Sequence, residues 1–236
     1  MRRLISLSLS SIFIGLLLTS TPTRAASVLK APAPPGCKQY SSSYYGPFDY
    51  RTAPQQRRDI VEDHHFTQDV EELRGGADSN VGLDLNYTMG VFPNHLRAIV
   101  AMMRYSKQTK QDPTPGATMS LECYFLRGIS FVPEDLVFRM QYAVFLISRN
   151  RVSDALKIVD EVSAHANDSG FTHFNAGMLY FDMKEYDKAV AEAHRAMALG
   201  FDRPDLHDRL SSIGRWIAPA AEAASAAEAS ASVASP

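Results

Sequence analysis

The residues with the richest coordination and acid–base chemistry in this chain are its histidines, and only Asp63-His64-His65 groups them compactly. Adjacent histidines are a poor start for a metal site. On a helix they point about 100° apart, and on a strand they face opposite sides. Either geometry needs a further ligand from elsewhere, for which Glu62 and His95 are the candidates. The pattern favours a polar turn with one histidine hydrogen-bonded, so no metal and no cofactor is expected. His173 and His194 fall on facing helices of one hairpin, as packing residues rather than a ligand pair. Nucleophile and phosphate-binding patterns are lacking: there is no G-x-S-x-G, no HExxH, no glycine-rich phosphate loop and no C-x-x-C. Gly75-Gly76 lacks the flanking strand and helix that such a loop requires. An enzyme is therefore not expected. The rival from that class is a metal-dependent or other enzyme built on His64, His65 and His95.

Cys37 and Cys123 are the only two cysteines of 236 residues. Their reading depends on compartment, which the N-terminus addresses. Met1-Arg2-Arg3 is a basic start, residues 4–18 are apolar with interspersed serine, and Thr23-Arg24-Ala25 sets small residues where a signal peptidase reads. The apolar run is shorter than the ~20 residues a membrane span needs. Residues 1–25 read as a secretory signal, with the periplasm as the expected destination and no membrane span after cleavage. In an exported chain two cysteines pair more often than they stay free. A Cys37–Cys123 bridge is expected, the alternative being Cys123 buried on its helix as a small apolar residue. Cleavage removes three arginines and leaves 21 basic against 26 acidic residues. A balance of −5 does not favour nucleic acid or anionic lipid.

Residues 26–78 form an N-terminal segment, rich in Pro and Tyr at first. Its aromatic run Tyr44-Tyr45-Gly46-Pro47-Phe48-Asp49-Tyr50 is expected to fold back and pack. The state of 59–66, strand or helix, stays open. Thr67 is a plausible cap for a helix ending at Gly75-Gly76, and Asp78 or Ser79 for one that Pro93 stops. Residues 79–217 carry helical periodicity, and 218–236 are Ala/Ser/Glu low complexity, expected to be disordered.

Within the helical part, 171–203 reads as two short helices around a Lys-Glu-Tyr-Asp turn. Gly177 and Tyr180 lie on one face of the first helix, Ala189, Ala193 and Ala196 on one face of the second. This spacing resembles a tetratricopeptide repeat. Gly177, Tyr180, Ala189 and Ala196 match its pattern, whereas His173 stands for the usual Trp, Ala176 for Leu, Ala193 for an aromatic and Phe201 for Pro. Thirty-four residues before Ala189 stands Ala155, which sets a second unit at 136–169. Phe125 and Pro133 set a first unit with six extra residues, between helices 94–107 and 117–130. The helix before Pro93 is then the second helix of a vestigial unit, and a helix from Pro204, with Leu206, Leu210, Ile213 and Ile217 on one side, caps the stack. The expected fold is an all-α solenoid of about three helix pairs.

The resemblance implies a function through the face of the first helices. Its ligand-facing positions are Val137, Met140, Val144 and Ile147 in one unit, and Phe171, Phe174, Met178 and Phe181 in the next. Soluble monomers rarely leave that much apolar surface open. Either the chain covers it, with 40–50 or the C-terminal helix, or a partner does. The expected role is an exported scaffold or adaptor binding another envelope protein or an apolar, aromatic-rich segment, insensitive to salt. A soluble binder of small apolar molecules is a further alternative.

Overall fold

The computed structural model describes residues 36–37, 45–77 and 80–219. The expected signal at 1–25, the linker at 26–35, the candidate caps Asp78 and Ser79, and the low-complexity tail from 220 lie outside the described residues. Ten helices account for all regular structure among the described residues: α1 (Gln55–His65), α2 (Gln68–Glu71), α3 (Val81–Val91), α4 (Leu96–Thr109), α5 (Leu121–Phe131), α6 (Leu136–Ser148), α7 (Val152–His165), α8 (Gly170–Asp182), α9 (Tyr186–Ala198) and α10 (Pro204–Ser212). The protein is all-α.

The helices begin where a side chain can accept from an otherwise orphaned backbone N–H. Thr67 does this for α2, Asn80 for α3, Ser120 for α5, Asp135 for α6 and Ser169 for α8. The cap of α3 is thus Asn80, one residue past the expected Ser79. His95 caps α4 with its ring, accepting from Ala98 N at 3.1 Å. The helices stop where the chain turns left-handed: at Lys110 after α4, Asn150 after α6, Lys184 after α8 and Gly200 after α9. The same geometry at Leu73 ends α2 at Glu71, well before Gly75-Gly76. The open stretch 59–66 resolves as the last turns of α1.

Successive helices pack on each other, α6 with α7 and α8 with α9 most extensively. A second set of contacts skips one helix, joining α4 to α6, α6 to α8, and α8 to α10. That alternation is helical-repeat-like: first helices stack on first helices while each also packs on its own partner. One apolar core runs through the stack, from Val70 and Leu85 through Phe125, Phe138 and Ala155 to Leu206 and Leu210. Ala155, Ala189 and Ala196 are buried at the helix crossings, and Tyr180 fills the space beside them. Gly177 lets α8 meet α9 and α10 closely, since a Cβ there would stand 2.5 Å from Leu206 Cδ2 and 3.2 Å from Glu192 Cβ.

The cap helix is shorter than its apolar spacing promised. Leu206 and Leu210 are buried, but α10 ends at Ser212 and Gly214 turns the chain, leaving Ile213 and Ile217 exposed. Trp216 returns to the stack instead, edge-on to His194 and His207. At the other end, Phe48 and Tyr50 of the aromatic run pack on Phe92, forming a smaller cluster with Ala53, Val61 and Val91. Cys37 and Cys123 are disulfide-bonded, Cα to Cα 5.5 Å, so the segment before the aromatic run is tied to α5.

Candidate partner-binding face

The first helices α4, α6 and α8 each bury one side against their partner and neighbours and leave the other to solvent. On α6, Val137 is 36% and Val144 37% exposed, and on α8 Phe171 is 48% exposed. These three open apolar side chains, on the adjacent first helices α6 and α8, make up the apolar row. The other expected face residues are drawn inward. Met140 is only 6% exposed and belongs to the core. Ile147 packs partly buried against the same core.

On α8 the remaining three are half-covered by the C-terminal part of the chain. The Phe174 ring lies 5.4 Å from that of Phe201. Arg209 of α10 contacts Met178 Sδ at 3.8 Å, and its guanidinium stands 4.2 Å over the ring of Phe181. A second contact from Arg209 to Asp182, at 2.5 Å, fixes that arm. The C-terminal helix therefore covers one end of the face. The aromatic run at 45–50 packs against α1 and α3, not along the row on α6.

The histidines do not converge. His64 is exposed on α1. His65 Nδ1 stands 3.1 Å from Asp84 Oδ1, with its ring against Tyr87. His95 is fully buried. Its Nδ1 accepts from the α4 backbone, so the ring proton sits on Nε2 and is donated to Glu62 Oε1 at 3.3 Å. Tyr50 Oη donates to the same oxygen at 2.5 Å. The hydrogen bond from His95, joined by that from Tyr50, holds Glu62 down at about 2 against the upward push of burial. Burial pushes His95 below its ordinary value. Burial and the facing Glu62 push Tyr50 up to about 12. This is a clasp between α1, the aromatic run and α4, with each polar group satisfied inside the molecule. Among the described residues, no group of three or more His, Cys, Asp and Glu is arranged to hold a metal ion.

His173 lies in the opposite half and is also nearly buried. Its Nδ1 is 2.6 Å from Glu192 Oε2 and its Nε2 2.9 Å from the Asn167 carbonyl. Ser163 and Arg195 hold the other Glu192 oxygen. These groups line a cleft of about 790 Å³ between α7 and α9. His194 is separate from them, its Nε2 2.8 Å from the Ile217 carbonyl. Spacing sets His173 at the position of a packing aromatic, and it does pack there. Its partner Glu192 escapes a reading of the sequence, since a glutamate on a helix surface pattern gives no sign that it will be buried.

No family model matches the chain, and no curated protein or solved structure matches it either. The fold and this geometry are what bears on function. No helix among the described residues is long and apolar enough to cross a membrane.

Proposed function

We propose that the protein is an exported scaffold or adaptor of tetratricopeptide type, which binds another protein across the open face of its first helices. The observation that carries this reading is the row Val137, Val144 and Phe171, exposed on two adjacent first helices whose other large apolar residues are buried or half-buried. Helical repeat stacks present extended surfaces of this kind, and an exposed apolar row marks a binding site more often than a solvated one. Support for the repeat type comes from the skip-one packing of first helices and from Ala155, Ala189 and Gly177 at close crossings. Support for export comes from the Cys37–Cys123 bridge, because such bonds persist in oxidising compartments and are rare in reducing ones. The cell envelope, the periplasm in particular, is the compartment that this and the N-terminal pattern favour together.

The test is a photo-crosslinking residue at Val144 or Phe171 in cells, followed by identification of the attached protein. Phe174 is a poorer probe, since it is half-buried, although both its ring and that of Phe171 lie against Phe201. Val144→Asp should remove the crosslink made from Phe171 while changing stability by no more than about 0.5 kcal/mol, the usual range at a surface site. A crosslink pattern unaffected by that change would move the interface elsewhere.

A further inference from the structure

We propose that the segment bound along this face is acidic at one end, and that its carboxylates enter a basic cleft where α4 and α6 finish. The proposal rests on the partner-binding reading of the first helices and adds the chemistry of what they bind. The cleft has a volume of about 560 Å³. Arg104 and Lys107 border it from α4, Lys110 from the turn after α4, and Arg149 from the turn after α6. Asp112 is the one carboxylate in its lining, and it is already engaged by Arg149 at 2.9 Å and by Leu121 N at 2.8 Å. Arg104 reaches the backbone carbonyl of Glu71 and so keeps its charge unneutralised by that contact. Among the described residues neither Lys107 nor Lys110 has an ion-pair partner. Four cations against one spoken-for carboxylate is an unusual local balance in a chain with 26 acidic and 24 basic residues.

The cleft is continuous with the apolar row. Ser148, in its lining, lies four residues after Val144 and eleven after Val137, so the three share one face of α6. A segment that seats apolar side chains on Val137 and Val144 would thus carry its next residues toward the cations. The shape favours a polypeptide over an anionic membrane. The floor is formed by buried Leu121 and Phe145, so the cations surround a concavity rather than a flat patch. A side-chain carboxylate can enter a concavity that a flat headgroup layer would bridge. The contact is also screened by salt, unlike one made by the apolar positions alone.

The experiment is selection of a displayed random peptide library on the whole purified protein, in parallel with a Lys107→Glu/Lys110→Glu variant. A Lys107→Gln/Lys110→Gln variant serves if the reversed one does not fold. Wild type should enrich peptides that join apolar residues to Asp or Glu on one side. For such a selected peptide, charge reversal should weaken binding about tenfold, the Gln pair less, and added salt should weaken wild-type binding toward the variant's. Enrichment of apolar residues without Asp or Glu, or an acidic preference that survives the lysine changes, would overturn this proposal and leave the partner-binding face standing. Enrichment of neither would overturn both. Binding to phosphatidylglycerol vesicles that depends on the two lysines, without an acidic preference among peptides, would assign the cleft to a membrane and overturn it as well.

Discussion

The molecule holds two buried histidine–glutamate contacts, and they do opposite jobs. His95 joins parts of the chain that no repeat relates: it caps α4, bonds Glu62 of α1 and stacks near Tyr50 of the aromatic run. His173 sits inside one helix pair, between α8 and α9. The first ring has one acceptor and one donor to satisfy, which a neutral imidazole does by itself. The second has an acceptor at each nitrogen, Glu192 and the Asn167 carbonyl. A neutral ring carries one N–H, so satisfying both contacts takes a second proton, on the ring or on the carboxyl. The stack is thus held by close helix crossings, into which polar pairs fit as substitutes. The N-terminal end is held by specific clasps that the crossings could not replace.

The largest test of that contrast is covalent. Opening the Cys37–Cys123 bond, by Cys37→Ser with Cys123→Ser, should cost about 4–5 kcal/mol in the chain-entropy account, given a separation of 86 residues. The loss should be uneven. Hydrogen exchange should speed up in α1, α3 and α5 well before α8 and α9, whose packing owes nothing to the bond. Uniform loss would show that the two ends unfold as one unit and would erase the distinction between them.

Next in size is the removal of a histidine from the repeat unit. His173→Ala strands the buried Glu192, with Ser163 and Arg195 left to hold it, and should cost about 2–4 kcal/mol. His173→Gln keeps one donor to Glu192 and should recover part of that. Denaturant titration of the three proteins measures both. Equal stability of the Ala and Gln forms would mean that only the ring's volume matters at this position.

How far the sequence led follows the same division. In the stack, Ala155, Ala189, Gly177 and Tyr180, which the spacing of the resemblance sets at helix contacts, are buried, and close crossings favour small residues such as the first three. The same spacing sets each first helix within a turn of its observed start and end. At the N-terminal end no interval repeats. The pairing of Tyr50 with Glu62 and His95 depends on contacts between segments far apart in the chain, which periodicity does not encode. The face is half legible. Of the positions that the resemblance sets on it, Val137, Val144 and Phe171 are exposed, but Met140 is buried and α10 covers Met178 and Phe181. The basic cleft escapes notice because its cations come from the ends of two helices and the turns beyond them, outside any motif position.

Two glycines separate the ends of the molecule at smaller cost. A Cβ at Gly128 of α5 would stand 2.4 Å from the Pro93 carbonyl oxygen and 2.4 Å from the Phe138 ring. At Gly177 the nearest atom is the end of the Leu206 side chain, which can turn away, so the cost there is softer. Gly128→Ala should therefore lose about 1–3 kcal/mol, and Gly177→Ala less, at most about 1 kcal/mol. Thermal melts rank them. The reverse order would place the tightest crossing in the C-terminal unit.

The smallest effect is a slope with pH, and it belongs to the N-terminal clasp. His95 has its folded value below its ordinary 6.5, so below pH 6.5 the unfolded chain binds the proton more readily. Glu62 has its folded value at about 2 against an ordinary 4.5, so between those limits the unfolded chain again binds more. Both shifts act in one direction: stability is fully present above pH 6.5, declines from there as His95 contributes, and declines again from pH 4.5 toward 2 as Glu62 does. One group can contribute a slope of no more than about 1.4 kcal/mol per pH unit, and Glu62 less than that because it is partly solvated. His95→Gln should flatten the decline that begins below pH 6.5, and also shrink the lower window, because the His95 hydrogen bond is the main hold on Glu62. Glu62→Gln should flatten the lower window, and also lower stability at neutral pH, because Tyr50 and His95 then lose their charged acceptor. An upper window that persists in His95→Gln would move the acid-sensitive group away from the clasp.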